Sequence, residues 1–127
     1  MSGGICTLKG IVVTGKQLGR TIGFPTANMD VEEAVSCRPG VYFGRCCVDG
    51  AAWRVILNIG THPTVPEGPP TVEAHLIDYE GNLYGRRIEV ELIRYLRSER
   101  KFESVQALKE QLTRDMETAR ALPLGER

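Results

Sequence analysis

Short apolar segments separated by turn residues fill most of this chain and restrict the folds that it can adopt. The segments run over 8–14, 40–48, 53–59, 72–78 and 87–95, with glycine, proline, asparagine or aspartate between them. The pair Asp49-Gly50 predicts a hairpin turn between the second and third segments. Short strands in succession, without helices between them, favour an antiparallel sandwich or a small closed barrel.

The last part of the chain follows a different period. Apolar residues recur every three or four positions, at Val105, Leu108, Leu112, Met116, Ala119 and Leu122. This spacing predicts an amphipathic helix over about 104–122, with Ser104 as its N-cap and Pro123 beyond its end. We expect the apolar face of the helix to dock on the strands of about 8–95, so that residues 1–127 form a single domain.

The composition is that of an ordinary globular chain, with 42% hydrophobic residues, 25% charged residues and a formal net charge of zero. The balanced charge gives no general attraction to duplex nucleic acid or to an anionic membrane, so neither is expected as a partner. The sequence shows no signal peptide, no membrane-spanning run and no Cys-x-x-Cys pair among its four cysteines. We therefore expect a cytoplasmic protein with free thiols, and we expect it to be a monomer.

A glycine-rich, basic segment precedes a proline, a hydroxyl and an amide. The segment contains Gly15, Lys16, Gly19 and Arg20, and it leads into Pro25-Thr26-Ala27-Asn28. Glycines allow the backbone to approach a ligand closely, and the two cations can contact phosphates, although solvated surface charge is the alternative. In an extended segment Thr26 and Asn28 face the same side, and their neutral oxygens suit a Mg²⁺ ion that a nucleotide has already neutralised. The alternative is a turn in which these side chains bond only to nearby backbone.

Glu73 lies in the middle of the alternating segment 72–78, between Val72 and Ala74. A transfer reaction to a hydroxyl needs a carboxylate within hydrogen-bonding reach of that hydroxyl, and Glu73 can serve as this general base. A glutamate on the solvent-facing side of a strand is the commoner situation and is the alternative.

Four blocks of the sequence, in order, resemble the signature motifs of riboflavin kinases. The blocks are Gly19–Asn28, Asn58–Thr64, Thr71–Leu76 with Leu83–Gly85, and Tyr95–Arg97 with Lys101–Phe102. The resemblance implies a closed six-stranded antiparallel, Greek-key-like barrel with a C-terminal helix packed on it. The residues of these motifs are similar to those of the bacterial members of the family, in which an FAD synthetase module usually precedes the kinase. A stand-alone kinase and a kinase that works with such a module both stay open.

The resemblance also implies an activity and its residues. The enzyme would use ATP and Mg²⁺ to phosphorylate the ribityl 5′-hydroxyl of riboflavin, giving FMN and ADP. Glu73 would be the general base, and Thr26 and Asn28 would hold the metal and the nucleotide phosphates. Leu83 and Tyr84 match positions near the adenine, with core packing as their alternative, and Arg97 matches a segment next to the flavin.

Two other functions compete with this interpretation. A non-catalytic flavin- or nucleotide-binding barrel would keep the ligand-binding loops but lose the general base. The presence of Glu73 argues against this alternative. A barrel that binds single-stranded RNA would need an exposed basic groove with stacking aromatic residues. This chain matches such a groove poorly, because its net charge is zero and it has only one Trp, four Tyr and three Phe.

Overall fold

The computed structural model describes residues 6–13, 27–32, 37–60, 71–99 and 103–124, and these ranges contain six strands and one helix. The strands are β1 (Cys6–Val13), β2 (Ala27–Val31), β3 (Gly40–Val48), β4 (Ala51–Gly60), β5 (Thr71–Leu76) and β6 (Arg87–Arg97), and the helix is α1 (Val105–Ala121).

The strands form a closed barrel in which neighbours follow the order β1-β2-β5-β4-β3-β6. Strands β1 and β2 pair with each other, as do β3 and β4, and β5 lies between β2 and β4. Strand β6 closes the barrel by pairing with both β1 and β3. All of these pairs are antiparallel, which confirms the predicted all-β, six-stranded Greek-key-like barrel.

The hairpin between β3 and β4 has the turn that the sequence predicts. Val48 and Ala51 are paired, and Asp49 and Gly50 between them have φ angles of 52° and 85°. A two-residue loop with positive φ at both positions matches the right-handed twist of the flanking strands. Aspartate and glycine accept this conformation more readily than most residues, so the turn fixes the register of the longest paired segment in the barrel.

Apolar side chains form two separate cores. The first fills the barrel interior and includes Val55, Leu57 and Val90, none of which is exposed. The second lies outside the barrel, where Val41, Phe43 and other side chains of the sheet meet α1. Strand β3 is buried on both faces because it contributes to both cores.

Helix α1 docks on the outside of the barrel through its C-terminal half. Ser104 caps the N-terminus, where its Oγ accepts a hydrogen bond of 3.1 Å from the Ala107 N–H. Ala119 is fully buried against the sheet, with Met116 packed beside it. Val105 is 54% exposed, so the expectation that it belongs to the docked face is wrong. The first turn extends past the apolar surface that the sheet offers.

Two of the cysteines form a disulfide, which corrects the expectation of four free thiols. Cys6 at the start of β1 is bonded to Cys37, which follows β2. The antiparallel pairing of these strands brings together two residues that are 31 positions apart in sequence. The separation of Cys6 and Cys37 in the sequence does not by itself predict this contact. Cys46 and Cys47 are free, as expected, and only Cys47 is exposed.

Within the described part of the chain, no helix combines the length and the apolar character needed to span a bilayer.

Candidate functional site

A row of side chains crosses five strands on the outer surface of the barrel. Asn28 on β2 is paired with Glu73 on β5, and Glu73 is also paired with Asn58 on β4. Asn58 is paired with Val41 on β3, which is paired with Arg97 on β6. Paired residues of neighbouring strands point their side chains to the same face of a sheet. The row therefore runs from β2 to the end of β6, and we call it the outer row.

The alternation of β5 explains why Glu73 faces outward. Val72, Ala74 and Leu76 are buried in the barrel interior, whereas Glu73 between them is half-buried. A period of two in the sequence thus becomes two faces of one strand. This confirms the prediction that Val72 and Ala74 lie on the face opposite Glu73.

Asn28 and Asn58 flank Glu73 on its two sides, and all three side chains are half-buried. Directly opposed residues of an antiparallel pair have Cβ atoms about 4.5–5.5 Å apart. An amide group on either side is therefore close enough to share one ligand with the carboxylate. The sequence prediction included Asn28 and Glu73 but did not single out Asn58, although it lies at the start of the second family-like block.

A second carboxylate reaches the end of β4 next to this row. A methyl group placed on Gly60 would lie 2.7 Å from Oε2 of Glu99 and 2.9 Å from Oγ1 of Thr71. Glycine at this position therefore leaves the space that the Glu99 side chain and the Thr71 hydroxyl occupy. Sequence reasoning did not assign Glu99 a role, because it lies in a polar run that resembles solvated surface.

Arg97 lies at the far end of the outer row and is held by the helix. Its Nε donates to Oδ1 of Asp115 at 3.1 Å, and its Nη2 donates to Oδ2 at 2.7 Å. Gln111, one helical turn before Asp115, donates to the same Oδ1 at 3.0 Å. The Asp115 side chain is only 6% exposed and that of Arg97 18%. The predicted flavin-side arginine is thus fixed by α1, which sequence reasoning did not anticipate.

Leu83 and Tyr84 lie in the connection between β5 and β6 and have different surroundings. Leu83 is buried in the interior core, whereas Tyr84 is 59% exposed. The Tyr84 N–H donates to Oδ1 of Asn82 at 2.9 Å, and the Gly85 N–H donates to the Val12 carbonyl at 2.8 Å. These bonds hold the connection against the end of β1. The exposed ring of Tyr84 is available to a ligand, and the predicted roles of both residues near the adenine stay predictions.

Five of the predicted site residues lie outside the described ranges. They are Gly15, Lys16, Gly19, Arg20 and Thr26. Their predicted contacts with phosphates and metal are carried into the proposal below. The described residues that border this part of the chain are Val13, the last residue of β1, and Ala27, the first residue of β2 and directly before Asn28.

The described residues fit a magnesium site with few protein ligands. Among them, no group of three or more His, Cys, Asp or Glu side chains has the arrangement of a metal site. A Mg²⁺ ion that accompanies a nucleotide commonly takes only one or two protein oxygens, with water and phosphate supplying the rest. The Asn28 amide oxygen, half-buried beside the Glu73 carboxylate, is a donor of this kind.

Comparison with known proteins identifies relatives whose sequences match most of this chain. Bifunctional riboflavin kinase/FMN adenylyltransferases from Pseudomonas fluorescens and Escherichia coli strain K12 are 40% and 44% identical over 116 and 119 residues. These matches cover 91% and 89% of this chain, but 37% and 36% of the relatives. The chain therefore spans little more than a third of the length of these relatives.

A further relative is named an RNA-binding riboflavin kinase. This protein of Bacillus subtilis is 39% identical over 110 residues, which are 86% of this chain and 47% of that protein. The name weighs against the expectation that nucleic acid is not a partner.

Two solved structures share the fold. The crystal structure of a macrolide-efflux protein from Streptococcus pneumoniae has a TM-score of 0.85 and 30% identity, covering 92% of this chain and 39% of that chain. Riboflavin kinase from Trypanosoma brucei has a TM-score of 0.65 and 24% identity, covering 90% of this chain and 76% of that chain. The second match shows the fold alone.

The family model described as Flavokinase, riboflavin kinase, matches residues 3–123. This range includes all six strands of the barrel, α1 and the whole outer row. The chain belongs to the riboflavin kinase family.

Proposed function

We propose that this chain transfers the γ-phosphate of ATP to the ribityl 5′-hydroxyl of riboflavin, giving FMN and ADP. The observation that supports this most is the register in which Glu73 lies between Asn28 and Asn58 on the outer face of the barrel. Membership of the riboflavin kinase family favours riboflavin as the acceptor.

Glu73 is the proposed general base. Its carboxylate would accept a hydrogen bond from the 5′-hydroxyl and take the proton of that hydroxyl as the new O–P bond forms and the bond to the leaving ADP breaks. Phosphoryl transfer passes through a loose transition state, so the main contribution of the carboxylate is to orient the attacking oxygen. The half-buried position of Glu73 on a paired strand suits this role, because the backbone around it is fixed on both sides.

Asn28, together with Thr26, is proposed to hold Mg²⁺ and the nucleotide phosphates. When bound, the metal would neutralise charge on the β- and γ-phosphates. Neutral oxygen donors at this position would add no further negative charge to the metal-nucleotide complex. Gly15, Lys16, Gly19 and Arg20 are proposed to contact the phosphates from the segment before β2.

The outer row suggests how the two substrates share the barrel surface. With the nucleotide on the Asn28 side, the acceptor has the other side of Glu73, towards Asn58 and Arg97. Tyr84, exposed at the β1 end, is proposed to cover the adenine, with Leu83 packed beneath that connection.

Product analysis tests the proposal directly. The purified protein is incubated with riboflavin, ATP and Mg²⁺, and the flavins are separated by chromatography, with controls that each omit one component. We expect FMN only when all three are present. Quenching of riboflavin fluorescence measures binding. If riboflavin binds but no FMN forms, the result would instead favour a binding module. If the protein neither binds riboflavin nor forms FMN, riboflavin is rejected as the substrate.

A further inference from the structure

Asp115 lies on α1, outside every motif that suggested the function, yet it contacts the arginine at the end of the outer row. The Arg97 guanidinium is bound through two parallel hydrogen bonds to the two oxygens of this carboxylate. Such paired bonds fix the plane of the guanidinium as well as its position. A single surface contact would leave the long arginine side chain free to rotate.

The carboxylate is itself fixed. Gln111 donates to Oδ1 of Asp115 from one turn earlier on the helix, at 3.0 Å. Asp115 is 5% exposed, and Ala119, one turn later on the same side of α1, is fully buried against the sheet. The apolar docking of the helix therefore sets where the carboxylate lies, and the carboxylate sets where the guanidinium lies.

Attachment of α1 to the barrel does not by itself require a buried ion pair between Arg97 and Asp115. A buried ion pair gains little net stability over apolar side chains of similar volume, because both charges lose their hydration. The same helix has a second ion pair with the barrel, between Arg120 and Asp78, and this pair is largely exposed. Within the described ranges, Asp115 is the one buried carboxylate. The burial occurs where the outer row meets the helix, which points to a role in orienting Arg97.

We propose that Asp115, supported by Gln111, is a positioning residue that holds Arg97 in the orientation that binds riboflavin. The inference rests on the proposed function, since it assigns the flavin to the Arg97 end of the outer row. Asp115 acts through Arg97, so its loss should affect the binding of riboflavin and leave the nucleotide end of the row unchanged.

The test compares Asp115→Asn with the matched control Asp78→Asn, which removes the charge of the other helix-to-barrel ion pair. We expect Asp115→Asn to weaken riboflavin binding roughly tenfold to a hundredfold, the range that corresponds to the loss of one hydrogen bond involving a charged group. The KM for ATP should stay within about twofold, since no nucleotide contact is lost. Asp78→Asn should leave both quantities unchanged. Fluorescence quenching gives the riboflavin Kd, and thermal unfolding confirms that each variant is folded.

A double-mutant cycle with Arg97→Lys separates positioning from a merely structural contribution. Lysine keeps the charge but cannot make the paired hydrogen bonds. If Asp115 acts through Arg97, the double variant should bind riboflavin about as weakly as the weaker single variant. Independent, additive effects on the riboflavin Kd would overturn the inference, as would an unchanged Kd in folded Asp115→Asn.

If Asp115→Asn does not fold, the half-buried Gln111 provides the deciding variant. Gln111→Ala removes one hydrogen bond to the carboxylate, and we expect riboflavin to bind about threefold more weakly. An unchanged riboflavin Kd in this variant would reject the positioning role. FMN formation by the wild-type protein tests the proposed function separately, so a failure of the function and a failure of this inference are distinguishable.

Discussion

Asn28 and Glu73 are directly opposed residues of β2 and β5, and their side chains share the outer face of the barrel. The strands that carry them are separated in the chain by β3 and β4. Insertion of β5 between β2 and β4 creates the contact. An amide and a carboxylate are thereby held side by side, which is the arrangement that the proposed site for a metal-nucleotide complex and an acceptor hydroxyl needs.

Glu73→Gln should lower the turnover of riboflavin by at least about a hundredfold, because the amide cannot accept the hydroxyl proton. The riboflavin Kd should change little, since the side chain keeps its size. Initial rates of FMN formation measure the effect. Glu89→Gln, the same chemical change at an exposed position of β6, is the matched control and should keep wild-type turnover. Wild-type turnover in Glu73→Gln would remove Glu73 from the mechanism.

Asn28→Ala should weaken ATP binding only when Mg²⁺ is present, because the amide oxygen is proposed to contact the metal-nucleotide complex. Titration calorimetry with ATP, in Mg²⁺ and in EDTA, measures the difference. Asn58→Ala removes the amide on the other side of Glu73, and it should leave the metal dependence of ATP binding unchanged. Equal weakening by Asn28→Ala in both buffers would contradict a role at the metal.

The two free cysteines should react with a thiol reagent to very different extents. Cys46 is fully buried, and burial raises the pKa of its thiol to about 11, whereas Cys47 is exposed. Because the thiolate is the reactive form, iodoacetamide at pH 8 should label Cys47 alone in the native protein. Peptide mass mapping identifies the labelled residue, and Cys47→Ser should abolish native labelling. Fast labelling of Cys46 before unfolding would show that the interior opens readily.

The disulfide between Cys6 and Cys37 should stabilise the barrel against unfolding. It closes a loop between residues 31 positions apart, and such a cross-link contributes about 2–4 kcal/mol by limiting the unfolded chain. Reduction with dithiothreitol should therefore lower the Tm. The variant Cys6→Ser should have the lower Tm at the outset and show no further response to reductant. Equal Tm values for oxidised and reduced wild-type protein would show that the bond adds no stability.

The ion pair between Arg120 and Asp78 should lose its contribution to stability in acid. Hydrogen bonds of 2.7 Å from the guanidinium lower the pKa of Asp78 below its ordinary value of 3.8. The folded-state pKa is below that of the unfolded chain, so the stabilisation is present above about pH 4 and is lost as the pH falls through the folded-state pKa.

Tm values of wild-type protein and Asp78→Asn between pH 7 and pH 3 measure this effect. Asparagine tolerates the positive φ of 66° at this position, so the backbone is not disturbed. The Tm difference between the two proteins should be small, because the pair is exposed, and it should shrink as the pH falls. If the Tm difference stays constant down to pH 3, it does not come from the charge of Asp78.

Local signals were sufficient to predict most of the secondary structure. The alternation around Glu73, the turn at Asp49-Gly50 and the cap at Ser104 each depend on neighbouring residues only, so the sequence contains the whole cause. The helix prediction over about 104–122 agrees with Val105–Ala121 for the same reason. Val105 was wrongly assigned to the docked face, because periodicity does not tell how far the partner surface extends.

The sequence by itself determined five of the six strands, the helix and two of the residues in the outer row, Asn28 and Glu73. Strand β2 (Ala27–Val31) was not among the predicted segments. Strand order was decided by tertiary structure, since the pairing of β5 with β2 joins segments that are separated in the chain by β3 and β4. The same holds for the bond between Cys6 and Cys37 and for the contact of Asp115 with Arg97. Each depends on which surfaces pack together, and that choice minimises the exposed apolar area of the whole domain rather than of any one segment.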